Sequence, residues 1–399
     1  MAGSESRAQD FATKDERELA SVLASNSRIK NLNILLYKPS FKMKSAVMSL
    51  GSKSSLMIIE AMKNYFDSVD SIDLRDVEVN LGAGKLDVMY EGKQLPQYSC
   101  IYARGSFRYA PLLRSITRTL YRSSYMPIKP ETFTLGHDKL LTHLALQHFN
   151  IPMPTTYLAS STRAAKKILN EVTYPLVLKF PHGTQGKGVM FAESFAAASS
   201  MLDALIALKQ PFLIQEYIET GGVDVRAFVI GDRVIASMKR KAVRGEMRAN
   251  IHAGGTGEAC VLDQNTKRIA IDTSISIGAE ICAVDMLESP KGPLVIEANL
   301  SPGLQGITKA TGINIADKIA KYLFEKSEIF SARDRDEATL KIFEDLGLSG
   351  EIAQQIITNL DFRASRILLP KIVTDISQFG EKDEVVLKVE KGKLSVERI

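Results

Sequence analysis

The stretch YPLVLKFPHGTQGKGVMFAE, Tyr174–Glu193, frames the reading of the whole chain. Two apolar runs flank a loop with three glycines in six residues, Gly183-Thr184-Gln185-Gly186-Lys187-Gly188. Strand, glycine-rich loop and second strand make a hairpin. The spacing fits neither GxxxxGK[ST] nor GxGxxG, both of which lead into a helix, so P-loop and dinucleotide-fold readings fail. Backbone N–H groups gathered at such glycines can cradle an anion, although a plain turn uses the same residues. Lys179 sharpens the choice. It is a cation inside the apolar run YPLVLKF, and a buried lysine calls for an anion, phosphate being the natural one. A lysine snorkelling from a strand end is the alternative.

Downstream, the pattern predicts a helix over Ala196–Leu208, a strand PFLIQEYI (Pro211–Ile218) and a hairpin DVRAFVIGDRVIASMKRKA (Asp224–Ala242) turning at Gly231-Asp232. A helix TKRIAIDTSISIGA and the strand pair EICAVDML/PLVIEAN follow. Upstream, the apolar run NILLYK (Asn33–Lys38), the helical SLMIIEAMKNYF (Ser55–Phe66) and the strand-like VEVNL and SCIYARG argue for a parallel α/β unit. A proline-rich boundary falls near 126–137, after which Asp138 can N-cap a helix through KLLTHLALQHF. Beyond about residue 327 the chain changes character. Helices over Ala338–Leu346 and Gly350–Asn359, then RILLP and EVVLKVEKGKLSVERI, read as a separate accessory module.

Composition limits the classes open to the chain. It has 399 residues, 45% of them hydrophobic and 24% charged, a globular balance with material for two or three domains. A net charge of +5 over that length does not imply nucleic-acid binding by itself. No apolar run approaches the roughly 20 residues of a membrane span. The polar N-terminus shows no secretory h-region. Cys100, Cys260 and Cys282 are far apart, with neither a disulfide framework nor zinc spacing, which fits a cytoplasmic location.

Three further groups carry chemistry. Glu297 and Asn299 are two apart on a strand and share a face, while Asp285 sits on the preceding strand. A five-residue connection would set Asp285 opposite Glu297, and a four-residue one opposite Ile296. We favour the former, because two carboxylates and an amide oxygen then make a hard-oxygen set suited to Mg²⁺ with substrate phosphate. Acids interrupting apolar strands are costly unless they serve such a purpose. At the end of PFLI, the residues Gln215, Glu216, Tyr217 and Ile218 leave a sheet edge whose backbone can read an adenine edge, and Asp224 can accept from ribose hydroxyls. In the basic run Lys239, Arg240, Lys241, Arg244, Arg248, Arg248 and the following Asn250 can face a cleft holding phosphate and carboxylate, although a solvated face is the ordinary meaning of such a run. The stripe Arg114, Arg118, Arg122 also reads first as solvated surface.

Taken in order, Lys139, Lys179 with GTQGKGV, QEYI, Asp224-Val-Arg226, MKRKAVRGEMRANIHAGG, Val284-Asp285 and IEANLSPGLQGI resemble the ATP-grasp ligases, nearest to the ribosomal-protein-S6-modification type of α-L-glutamate ligase. The resemblance is close over 130–325 and loose over 30–130. It implies an α/β (α+β) ATP-grasp fold. The expected divisions are a polar tail at 1–28, an N-terminal parallel α/β pre-ATP-grasp domain at 29–136, a lid subdomain at 137–214, a C-terminal subdomain at 215–326 and an accessory module at 327–399. It further implies that Lys139 and Lys179 hold ATP phosphates under the 183–188 loop, that Glu216 to Ile218 bind adenine, and that Asp224 binds ribose. Asp285, Glu297 and Asn299 would hold two Mg²⁺ ions, replaceable by Mn²⁺, with Glu297 bridging. Arg226, Arg248 and Asn250 would contact phosphate or the carboxylate substrate, and His252 is left without a role. The implied activity is amide formation through an acyl phosphate, with glutamate added to a carboxylate acceptor, a protein tail or a small molecule, by a dimer or tetramer. The last strands also resemble a swapped-hairpin DNA-binding module, so an ATP-binding regulator that engages nucleic acid or a protein through residues 327–399 is the alternative.

Overall fold

The structure is a computed structural model that describes residues 42–82, 85–183, 188–242, 256–345, 361–363, 366–368, 373, 377, 380, 383–390 and 393–398. The expected strand Asn33–Lys38 and helix Gly350–Asn359 lie outside them. So do Thr184, Gln185, Gly186, Lys187, Arg248, Asn250 and His252. Two compact units divide the chain after Asp334.

The first unit opens with β1 (Lys44–Ser49), buried from Ser45 onward. Helix α1 (Lys53–Met62) starts where the Ser52 hydroxyl accepts from the Ser55 amide at 3.2 Å. There follow β2 (Ser68–Asp73), β3 (Val77–Gly82), β4 (Lys85–Tyr90), β5 (Lys93–Gln94) and β6 (Cys100–Ala103). A parallel sheet of order β2-β1-β6 forms, as the helix–strand alternation predicted. VEVNL is not part of it. As β3 it pairs antiparallel with β4 in a sheet of its own. The central place belongs to β1, whose sequence KSAVMS hides because small serines fill buried positions.

Helices α2 (Ala110–Leu120) and α3 (Pro130–Leu135) lead to α4 (Lys139–His148), where the Asp138 carboxylate accepts from the Leu140 and Leu141 amides at 2.8 and 3.0 Å. Next come β7 (Thr156–Tyr157), α5 (Thr162–Glu171), β8 (Leu176–Lys179), β9 (Val189–Ala192), α6 (Phe195–Ala207) and β10 (Leu213–Glu216). The hairpin read in Tyr174–Glu193 is present as β8–β9, in an antiparallel sheet of order β7-β10-β8-β9. Leu169, Leu176, Leu178, Leu202, Leu205 and Ile214 give this sheet and its two helices a core distinct from the rest of the unit.

The remainder builds a second antiparallel sheet of order β13-β12-β11-β14-β15. Its strands are β11 (Val223–Ile230), β12 (Arg233–Lys241), β13 (Thr256–Ala259), β14 (Ile281–Ser289) and β15 (Gly292–Asn299), with α7 (Gln264–Ile277) between β13 and β14. Gly231, at φ +61°, makes the β11–β12 turn. Phe228, Val284 and Met286 of this sheet share one core with Ile101 and Leu113 of the N-terminal layer. Helices α8 (Gln305–Thr311) and α9 (Ile315–Asp345) follow. The expected helix 338–346 is, as far as Asp345, the last part of α9 rather than a separate element, and Leu346 lies outside the described residues. Among the described residues no helix is long and apolar enough to cross a membrane. The second unit contains the hairpins β16 (Asp361–Arg363) with β17 (Arg366–Leu368) and β18 (Val385–Glu390) with β19 (Lys393–Arg398).

Candidate active site

One cavity of about 1060 Å³ gathers most of the residues singled out above: Lys139, Lys179, Gly183, Gln215, Glu216, Tyr217, Ile218, Asp224, Arg226, Asp285, Glu297 and Asn299. Strand register explains the acidic wall. The β14–β15 turn has two residues, Pro290 and Lys291, and Met286 opposes Val295, so an unbroken ladder would put Asp285 opposite Ile296. The register shifts between Asp285 and Met286, Ile296 becomes the extra residue of a bulge, and Asp285 opposes Glu297. The favoured pairing is therefore present, produced by a bulge and not by a long connection. Cross-strand partners point to one side of a sheet, and Asn299 follows Glu297 by two.

Asp285 is 3% exposed and held by two guanidiniums. Arg226 donates to both its oxygens at 2.7 Å, and Arg240 reaches it at 2.9 Å. Burial opposes ionisation of Asp285, but these two cations hold its carboxyl below the usual range. Arg240 also donates to both oxygens of Asp224 at 2.6 and 2.7 Å. Burial lifts the Asp224 carboxyl above its ordinary value while Arg240 pulls the other way. Arg240 was read as one member of a solvated basic run. In the structure it is 7% exposed and joins both acids. Its phase shows why: across the Gly231-Asp232 turn, Arg240 opposes Asp224, as Met238 opposes Arg226.

The basic wall comes from α4 and the glycine hairpin. Lys139, at the start of α4, donates from Nζ to the Gly183 carbonyl at 3.1 Å. Lys179 closes β8 and donates to Gln215 Oε1, while Gln215 Nε2 donates to Thr156 Oγ1 at 2.8 Å. Burial pulls the Lys179 amine down to about 8, the neighbouring Lys139 adds to this, and Glu297 opposes it. Gly188 has φ +79°, and a Cβ there would lie 2.2 Å from Phe180 Cδ2, so glycine is required on two counts. Burial likewise pushes His137, which lines the cavity, down to about 4.

The QEYI strand departs from expectation. As β10 it lies between β7 and β8, not at an edge, and the Glu216 amide donates to the Thr155 carbonyl at 2.9 Å. Its second neighbour leaves no pattern in the sequence because β7 has only two residues. Past the sheet, Tyr217 packs edge-on against Phe191 with centroids 4.9 Å apart. Arg114, Arg118 and Arg122 are exposed and line no part of the cavity.

Among the described residues seven cationic side chains line the cavity (Lys53, Arg104, Lys139, Lys179, Arg226, Arg240, Lys309) against four carboxylates, Glu216, Asp224, Asp285 and Glu297. That excess suits a polyanion. Among the described residues no cluster of three or more His, Cys, Asp or Glu forms a self-contained ion site. Asp285, Glu297 and Asn299 supply two carboxylates and an amide oxygen, a donor set that fits Mg²⁺ once phosphate oxygens complete its shell.

A glycine-hairpin sheet with its own core, facing a second antiparallel sheet that carries acids across a cavity, is the arrangement of the ATP-grasp proteins. The ATP-grasp ligase PsnB, solved with a minimal precursor, Mg and ADP, superposes with a TM-score of 0.56 over 72% of this chain and 99% of its own, at 17% identity. Residues 136–323 match the RimK-like ATP-grasp domain. A probable alpha-L-glutamate ligase of Vibrio cholerae serotype O1 is 37% identical over 273 residues, 68% of this chain and 91% of that protein. Another, of Trichodesmium erythraeum, is 35% identical over 286 residues, 70% of this chain and 96% of that protein. The chain belongs to the RimK-like ATP-grasp family and is an ATP-grasp ligase.

Proposed function

We propose that the cavity binds Mg·ATP and that the protein joins glutamate to a carboxylate acceptor through an acyl phosphate. The observation that carries this is the bulge-set trio Asp285, Glu297 and Asn299 on the same cavity as Lys139, Lys179 and the glycine hairpin. In this reading Lys139 and Lys179 hold phosphates beneath Gly183 to Gly188, Thr184, Gln185, Gly186 and Lys187 included. Gln215 to Ile218 line the base and Asp224 the ribose. Asp285, Glu297 and Asn299 would hold magnesium, as two ions or with Mn²⁺ in their place, which would neutralise phosphate charge and make the γ-phosphorus more electrophilic.

An acceptor carboxylate oxygen bonds to the γ-phosphorus as the bridging P–O bond to ADP breaks. The glutamate amine then attacks the acyl carbon, phosphate leaves, and the ammonium gives its proton to solvent. No side-chain nucleophile is needed. Positioning and charge neutralisation by the lysines, Arg226, Arg248 and Asn250 carry the chemistry. Closure of the glycine hairpin, whose sheet has its own core, would exclude the water that hydrolyses an acyl phosphate. The reading also takes the five divisions 1–28, 29–136, 137–214, 215–326 and 327–399 as working parts of a cytoplasmic dimer or tetramer. The test is incubation with Mg·ATP, labelled glutamate and a panel of carboxylate acceptors. ADP, phosphate and a labelled amide are expected, and Glu297→Ala should abolish them. If no acceptor yields ADP and Glu297→Ala leaves ATP affinity unchanged, the reading is wrong.

A further inference from the structure

The cavity has a second cationic wall that the nucleotide reading does not use. It is built from the N-terminal sheet: the loop after β1, the first turn of α1, and Arg104, which follows β6. Arg104 is 3% exposed. Its Nη1 donates to the Tyr102 hydroxyl at 3.1 Å and its Nη2 to the Pro302 carbonyl at 2.8 Å, while its buried Nε–H has no partner. Among the described residues the cavity's other two enclosed guanidiniums, half-buried Arg226 and buried Arg240, are each paired with a carboxylate. Arg104 meets none among the described residues. Among the described residues the carboxylates lining the cavity, Glu216, Asp224, Asp285 and Glu297, come from β10, β11, β14 and β15. A buried guanidinium with only neutral acceptors and one orphaned donor is held at considerable cost unless an anion joins it.

The surroundings favour such an anion. Helix α1 has ten residues, and of its first-turn amides the Ser52 side chain caps that of Ser55, while its dipole places positive potential at Lys53 and Ser54. Ser54 donates to Gln305 and accepts from the Leu304 amide, which ties this turn to α8, where Lys309 lines the same wall. Resting on the ligase reading above, we propose that Arg104 and the first turn of α1 bind a substrate carboxylate other than the one that ATP activates. The ligand class is an amino acid or peptide carrying a second, unreacted carboxylate. A planar fork of donors suits it, and holding it fixes the angle at which the reacting ends meet.

The experiment uses the full-length protein with Mg·ADP bound, titrated calorimetrically with glutarate and with L-glutamate. Arg104→Gln should weaken both by at least tenfold with Mg·ATP affinity within twofold, and Arg104→Lys should weaken them at least threefold and so recover part of the loss. Where Arg104→Gln does not fold, Arg104→Lys decides alone. Equal carboxylate binding in wild type and variants overturns the proposal, as does an equal loss for ATP, which would mark a purely structural role. Glutamine and isoglutamine, each lacking one carboxylate of glutamate, locate the group: dependence on Arg104 disappears with the analogue that lacks the carboxylate it holds and remains with the other, and dependence retained in full by both overturns the proposal. Should wild type bind Mg·ATP yet never form ADP, the ligase reading fails while the glutarate titration still judges Arg104.

Discussion

Lys179 offers a test in which affinity and stability move in opposite directions. Its amine is buried at the end of β8, hydrogen-bonded to Gln215, and held at about 8 against an ordinary 10.5. With that value about 90% of it is protonated at pH 7 and about 10% at pH 9. If a triphosphate binds the ammonium form, ATP affinity should fall by about ninefold between those pH values, with a proton taken up on binding at the alkaline end. Lys179→Met removes a charge-assisted contact of about 1.5–3 kcal/mol, so affinity at pH 7 should drop by roughly 10–150-fold and become flat with pH. Stability behaves otherwise. The folded value lies below the unfolded one, so the unfolded chain binds more protons between pH 8 and 10.5 and the ligand-free protein gains stability as pH rises through that window. Below pH 8 the full penalty is present. Lys179→Met should therefore melt higher than wild type at pH 7, with the gap closing toward pH 10.5. Competition against a fluorescent ATP analogue and thermal melts at matched pH measure both. A variant that keeps the pH slope, or that binds ATP within twofold of wild type, refutes the placement of this ammonium on the phosphates.

Arg240→Met leaves Asp224 buried without its bidentate partner and should cost about 3–5 kcal/mol, read as a lower urea midpoint; an unmoved midpoint would mean that water already satisfies the acid. Leu202→Ala empties space in the separate lid core, at about 2–5 kcal/mol. Hydrogen exchange should then quicken in α5, α6 and β8 to β10 while β11 and β14 keep their protection, and uniform loss would show that the two cores unfold together. Glu297→Gln keeps shape and removes charge. It should weaken nucleotide binding in Mg²⁺ and leave binding in chelator unchanged, whereas an equal effect in both would place the metal elsewhere.

Hairpins were the most legible part of the fold. Residues Tyr174–Glu193 and Asp224–Ala242 each show two apolar runs about a glycine turn, a local signal that tertiary contacts had only to accept. The acids were legible as a set for the same reason, since alternation along β15 fixes the shared face of Glu297 and Asn299 whatever the neighbour does. Their alignment with Asp285 was legible from the chemistry of an oxygen-ligand set, but not the bulge that produces it. It depends on Ile296 standing out of the ladder, and nothing in PLVIEAN marks one residue as the bulge. Strands too short or too small to show a period escaped as well. KSAVMS buries serines, and Thr156–Tyr157 is two residues long, so the centre of one sheet and the partner of QEYI were both lost.

The cations show where reading by local composition stops and reading by burial begins. Lys179 stood out because one charge interrupts an apolar run. Arg104 interrupts CIYARG in the same way, and the same rule selects it, although the stretch reads only as strand-like when its charge is passed over. Arg240 failed for the opposite reason: set among Lys239 and Lys241 it looked like one solvated charge in three, although in a strand only every second residue shares its face. Lys239 does point outward, to Glu288 at 2.7 Å, and Arg240 inward, to Asp224 and Asp285. Charge runs in strands therefore need to be split by phase before they are assigned to solvent. Split that way, the cations of the cavity among the described residues include guanidiniums already paired with Asp224 and Asp285, and three, Lys139, Lys179 and Arg104, whose hydrogen-bonding partners among the described residues are uncharged oxygens. That unbalanced remainder is what the proposed nucleotide and carboxylate sites would draw on.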